Sequence, residues 1–256
     1  VYLILIISTF FFGLLFLIIG IKYIHKRTMR SVLTSRTKVD WNRIFYAFFV
    51  WLIIGVVMVA ISYMLAPEDI IWNFKPVPFA ILLLISFLLL PIQTSFEEVL
   101  FRGYLLQGIG TWLKSPFIAV VVTAVIFGSL HGLNPEVEKL GWSVMIFYMG
   151  TGFLLGLFTV LDEGTELALG FHAANNIIAA LLVTTNWTVF QTEALLIDTS
   201  EPSLGMETLI PVFVLYPFVI YLFSKKYNWS DWREKLFGVV THPVEANEIA
   251  EQEEQS

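Results

Sequence analysis

The chain has 256 residues, 57% of them hydrophobic and 16% aromatic, with only 14% charged. A soluble domain runs at about 45–50% apolar and about 25% charged, so this composition excludes one and indicates a polytopic membrane protein. The formal net charge of -6, with basic residues gathered in loops, gives no footing for nucleic acid, and the absence of cysteine removes disulfides, thiolate catalysis and cysteine metal sites.

At roughly 20 apolar residues per span, candidate spans fall near 1–21, 44–66, 77–95, 116–131, 141–161, 168–185 and 207–224. The expected fold is all-α, a polytopic transmembrane helix bundle of about seven spans. The chain opens on Val1 and not Met, so the numbering can begin within a longer or processed protein; residues 1–21 are too long and too evenly apolar for a signal-peptide core. The loop that follows carries Lys22, Lys26, Arg27, Arg30, Arg36, Lys38 and Arg43, which the positive-inside rule assigns to the cytoplasm. The N-terminus is then outside, Lys225 and Lys226 and the C-terminus are cytoplasmic, and the acidic stretches at Glu68-Asp69 and from Glu193 to Glu201 face outward. The plasma membrane is the expected location.

Residues 77–113 exceed one span and contain Pro91, which breaks or kinks helices. A separate, tilted or interfacial element near 92–113 is therefore expected. Gly150, Gly152 and Gly156 read as close helix packing. After the last span, the segment from Asn228 to Lys235 reads as interfacial, with Trp229 and Trp232 at headgroup level. Residues 243–256 hold five glutamates and no lysine and read as disordered. The division expected is 1–76 for N-terminal spans and a basic loop, 77–226 for a catalytic membrane core, and 227–256 for the interfacial segment and tail. No internal repeat and no Gly-rich phosphate loop is present.

The most informative stretch is Glu97-Glu98-Val99-Leu100-Phe101-Arg102. A charge at the centre of a spanning helix costs about 2.5–3.5 kcal/mol on insertion scales, so it persists where it is paired, lines a polar cavity or performs chemistry. Residues four apart share a helix face, so Glu98 pairs with Arg102. Glu97 points elsewhere, with no obvious cation, and is free to be desolvated into the role of a general base. Of four histidines, His25 lies in the basic loop and His242 in the polar tail. His131 ends the apolar run Phe127-Gly128-Ser129-Leu130, and His172 shares a helix face with Asn176 at i, i+4. Polar groups on three separate apolar helices must converge to be satisfied.

In this order, EExxxR (Glu97, Glu98, Arg102), FxxxH (Phe127, His131) and HxxxN (His172, Asn176) resemble the three motifs of the CPBP (Abi) family of intramembrane glutamic endopeptidases, which includes the CAAX prenyl endopeptidases. The resemblance spans roughly residues 80–185 and implies proteolysis inside the membrane by glutamate-activated water, without a metal or other cofactor. It also implies a cavity open to the cytoplasm.

The residues support that chemistry on their own terms. Hydrolysis needs an activated water, donors for the developing oxyanion and a dry site. Glu97 and His131 suit the water, His172 and Asn176 the oxyanion, and Glu98 with Arg102 fixes the motif helix, while Phe127 packs around His131. An active site in an intramembrane cavity follows. The expected partners are the lipid bilayer and a membrane-associated peptide or protein substrate, prenylated or not; the oligomeric state is left open, and loops 132–140 and 186–205 contain no docking module. Two alternatives stand: a Zn²⁺ protease with Glu97, His131 and His172 as ligands, and a non-catalytic membrane protein such as a bacteriocin self-immunity factor or scaffold.

Overall fold

The helices alternate in direction between two chemically different ends of the bundle. The computed structural model describes residues 2–203 and 209–241, so the acidic tail and His242 lie outside the described residues. Helix α1 (Tyr2–Ile19) continues through a π-helical turn, Gly20–Ile24. A basic loop with the short α2 (Met29–Leu33) leads to α3 (Trp41–Leu65), whose first turn is capped by the Asp40 carboxylate on the Asn42 amide. Helix α4 (Pro76–Glu98) passes through a π-helical segment, Val99–Leu105, into α5 (Leu106–Leu113). Lys114 turns the chain with φ 53°, and Ser115 caps α6 (Pro116–Leu130). The short α7 (Pro135–Leu140) precedes α8 (Met145–Leu161) and α9 (Glu166–Leu181). A π-helical turn, Pro211–Leu215, opens α10 (Tyr216–Tyr227), and α11 (Trp232–Phe237) follows.

Among the described residues five stretches are long and apolar enough to cross a membrane: Leu5–Ile24, Trp41–Leu65, Pro76–Leu113, Pro116–Leu133 and Trp142–Leu161. The span expected at 168–185 corresponds to α9, and that expected at 207–224 falls on the helix that runs through Pro211–Leu215 into α10. α9 has 16 residues and sits at the centre of the bundle, its apolar face packed on α3, α4 and α8. Phe12, Phe16, Phe49, Ile53, Leu84 and Leu88 point outward, as side chains that face lipid do.

Pro91 does not end the motif helix. The helix runs unbroken from Pro76 to Leu113, so the separate element expected near 92–113 is instead its second half. The accommodation comes further on, where the Leu106 amide reaches back five residues to Phe101 O. Such π-segments are rare and recur at functional sites; this one begins directly after Glu98.

One end is basic. Thr34 bridges to Gly164, and the guanidinium groups of Arg36 and Arg43 both reach Asp162, with Arg36 also 3.2 Å from Glu166. Burial pushes the Asp162 carboxyl above its ordinary range, opposed by its hydrogen bond from Trp229 and by Arg43 and Arg36. Trp229 donates Nε1 to Asp162 at 2.8 Å and packs with Phe158 in the core. Trp229 is thus buried within the bundle: a buried carboxylate needs donors, and the indole provides one. Only Trp232 keeps substantial exposure.

The other end carries a small sheet of β1 (Ile70–Trp72), β2 (Val183–Thr184) and β3 (Leu196–Asp198), in the order β1-β3-β2. Strand β3 pairs antiparallel with β1, Ile71 opposite Ile197, and parallel with β2. The Lys75–Glu193 ion pair and the Val189 amide on Glu136 Oε1 knit the same loops together. Of the 15 Lys and Arg, all except Lys75, Lys139 and the buried Arg102 belong to the basic end.

Candidate active site

A cavity of about 250 Å³ lies between α1, α4, α6, α8 and α9. Glu97, Phe127, His131, His172 and Asn176 all line it, so the three motif blocks converge on one space. Arg102 and Glu98 do not face it. They are buried just beyond its floor, toward the basic end.

The floor is a polar network. Glu98 Oε1 accepts from Arg102 Nη1 at 3.0 Å and from His172 Nδ1 at 2.7 Å. Arg102 and His172 meet the same Glu98 oxygen, an acceptor, so His172 donates from Nδ1 and its other nitrogen is turned to the site. His172 Nε2 is 3.4 Å from Glu97 Oε2. That approach is not an aligned hydrogen bond, and Glu97 Oε2 has no hydrogen-bond partner among the described residues. Glu97 Oε1 is held at 2.7 Å by Gln93 Nε2, and Gln93 Oε1 in turn accepts from Asn176 Nδ2 at 2.9 Å. Arg102 also donates Nη2 to Gly152 O at 3.2 Å and stacks 4.4 Å over the Phe127 ring. A Cβ at Gly152 would press on the α6 backbone at Ala124, so glycine there permits the close approach of α8.

His131 sits at the C-terminus of α6. Its Nδ1 bonds the Phe127 carbonyl at 2.8 Å, which makes Nδ1 the donor, and its ring stacks on Tyr148 at 4.5 Å between centroids. Phe127 lies between the two histidines, 4.7 Å from His131 and 6.0 Å from His172. The arrangement supplies a buried carboxylate with one unsatisfied oxygen, an imidazole nitrogen facing it and a second imidazole in the same cavity. A proton can be accepted, held and returned within it.

Two features differ from the sequence reading. Glu97 is not isolated, because folding brings His172 Nε2 to 3.4 Å from it across helices. The cavity does not open at the basic end. Its remaining lining comes from Asn134, Glu136 and residues 189–192, all in loops of the opposite end. Gln93, Tyr148 and Glu136 were missed by sequence reasoning. Gln93 was findable, since it lies at i, i+4 from Glu97; Tyr148 and Glu136 carried no local signal. No Lys or Arg lines the cavity among the described residues. Nor do those residues include a group of three His, Asp or Glu disposed to hold a metal.

The fold and this network define a helical membrane protein with a buried glutamate–histidine centre. Over residues 76–178 the chain matches the family described as type II CAAX prenyl endopeptidase Rce1-like. All three motif blocks lie within that region, which is consistent with the CPBP family. A similar protein in Bacillus subtilis (strain 168) bears the name "Uncharacterized protein YyaK"; it is 32% identical over 173 residues, which are 67% of this chain and 58% of the relative. The chain thus spans less than two thirds of that relative's length. No solved structure matches the chain significantly.

Proposed function

We propose that the chain is an intramembrane endopeptidase that cleaves a membrane-associated or lipidated polypeptide with a water activated by Glu97. The observation behind this reading is the state of that carboxylate: buried, fixed through Oε1 by Gln93, and unsatisfied at Oε2 beside His172 Nε2. A buried acceptor without a donor is costly, and it is a natural seat for a water or an attacking hydroxide.

In this reading Glu97 takes a proton from a water that His131 helps to hold. The water oxygen attacks the scissile carbonyl carbon, and the carbonyl electron pair moves to its oxygen. Asn176 Nδ2 and, when the ring carries both its protons, His172 Nε2, on one face of α9, are the donors available to that oxyanion, each leaving its present neighbour to make the bond. Collapse of the intermediate expels the amine, which takes the proton from Glu97, so water is consumed and a carboxylate and an amine are released. Glu98 and Arg102 act as positioning residues through His172 and α8. The protein works in the plasma membrane with its basic end and the C-terminal lysines in the cytoplasm.

The test is Glu97→Gln. The amide is nearly isosteric but accepts no proton, so membrane peptides that disappear when the wild type is expressed should persist with the variant, while insertion and melting temperature stay at wild-type values. Near wild-type turnover by purified Glu97→Gln would overturn the assignment. A phenotype that survives the substitution would favour the non-catalytic self-immunity or scaffold reading.

A further inference from the structure

We propose that this site is fed from the non-cytoplasmic face, and that its substrate is a polypeptide segment exposed there, such as the outward-facing stretch of an exported or membrane-anchored protein. The inference rests on the endopeptidase reading and adds to it a direction of entry and a substrate class.

The geometry gives the direction. From Glu97 the cavity is walled by Leu90 and Gln93 of α4, by Ile6 and Phe10 of α1, and finally by the loops at Asn134 and Gln191. All of these lie toward the starts of α1 and α4 or the ends of α6 and α9, which is the end that bears the small sheet. Toward the basic end the way is shut by Glu98, Arg102 and Phe127, which are buried and bonded across α4, α8 and α9. A peptide arriving from that side would have to break a buried ion pair, at a cost of several kcal/mol.

Charge gives the side. Lys22, Lys26, Arg27, Arg30, Arg36, Lys38 and Arg43 flank the spans at the closed end, joined there by Lys114, Lys225, Lys226, Arg233 and Lys235. The open end has only Lys75 and Lys139 among many carboxylates. Lys and Arg in short loops set orientation, and the richer side is cytoplasmic. The mouth therefore faces away from the cytoplasm. Its chemistry agrees with an internal segment: the lining holds Glu97 and Glu136 and no Lys or Arg, so a free C-terminal carboxylate next to the scissile bond would meet two carboxylates and no permanent cation.

The chain has no cysteine, which makes a direct test available. Gln191→Cys marks the mouth and Lys38→Cys the basic loop; both positions are exposed. A membrane-impermeant maleimide on intact cells should label Gln191→Cys at once and Lys38→Cys only after permeabilisation. The reverse pattern, or labelling of both from one face, overturns the proposal. This readout needs no proteolysis, so it stands or falls apart from the Glu97→Gln result, and Glu97→Gln placed in the Gln191→Cys background should label identically. A second measurement tests entry itself: maleimide on Gln191→Cys in intact cells should suppress processing at least tenfold against the same cells untreated. Full labelling with unchanged processing would show that substrate comes another way.

Discussion

His172 and Glu98 are joined by a 2.7 Å hydrogen bond from Nδ1 to Oε1, and the oxygen that receives it is the one that also accepts Arg102. One carboxylate thus anchors a histidine from α9 and an arginine from its own helix. Removing its charge strands a buried guanidinium, which costs about 3–5 kcal/mol when a buried pair loses one partner. Glu98→Gln should therefore lower the melting temperature in detergent and reduce activity together, whereas Glu97→Gln reduces activity alone. Equal melting temperatures for Glu98→Gln and wild type would remove the anchoring role.

At the basic end, Asp162 gathers Arg36, Arg43 and the Trp229 indole. Both arginines keep some exposure, so solvent takes up part of the loss when their partner is removed. Asp162→Ala should still cost about 1.5–3 kcal/mol, the range for hydrogen bonds to charged groups, and should leave KM unchanged because the cavity lies elsewhere. Thermal unfolding with a parallel measurement of KM checks it; a stable protein with altered KM contradicts it.

Metal dependence is a separate question. The ligands Zn²⁺ would require are Glu97, His131 and His172, yet Glu97 is the base of the proposed reaction, and the described residues include no group of three disposed to hold a metal. Activity should survive exhaustive chelation. Loss of activity that returns with added Zn²⁺, together with stoichiometric metal in the purified protein, would replace the water-activation scheme with a metal-bound one.

How far the site was legible follows from sequence distance. The Glu98–Arg102 pair, the shared face of His172 and Asn176, and the helices that carry all three blocks are local facts, set by a period of 3.6 residues. The bond from His172 to Glu98 links residues 74 apart, and that from Arg102 to Gly152 links residues 50 apart; no periodicity encodes either. The burial of Trp229 was not legible either, because its partner Asp162 lies 67 residues away in sequence. The mouth of the cavity was hidden for a similar reason. It is made by Asn134, Glu136 and residues 189–192, loop positions whose meeting depends on the packing of α6 against α9.

The last prediction separates two roles for Asn176. If it is a donor to the oxyanion, Asn176→Ala should lower kcat by about 10²–10³-fold with little change in KM, as for other oxyanion donors. The structure adds a second path, because Asn176 Nδ2 holds Gln93 and Gln93 holds Glu97. Loss of that chain would let the Glu97 carboxylate swing, and kcat would fall for want of positioning. A double-mutant cycle with Gln93→Ala distinguishes them. Residues that act through one another show coupling of about 0.5–3 kcal/mol, whereas independent effects add. If Asn176 works through Gln93, Gln93→Ala alone should reproduce most of the kcat loss and Asn176→Ala should add little to it. If Asn176 meets the oxyanion directly, the two losses should multiply. A third result, unchanged kcat with a lower melting temperature for Asn176→Ala, would reduce Asn176 to a packing residue and leave the oxyanion to His172.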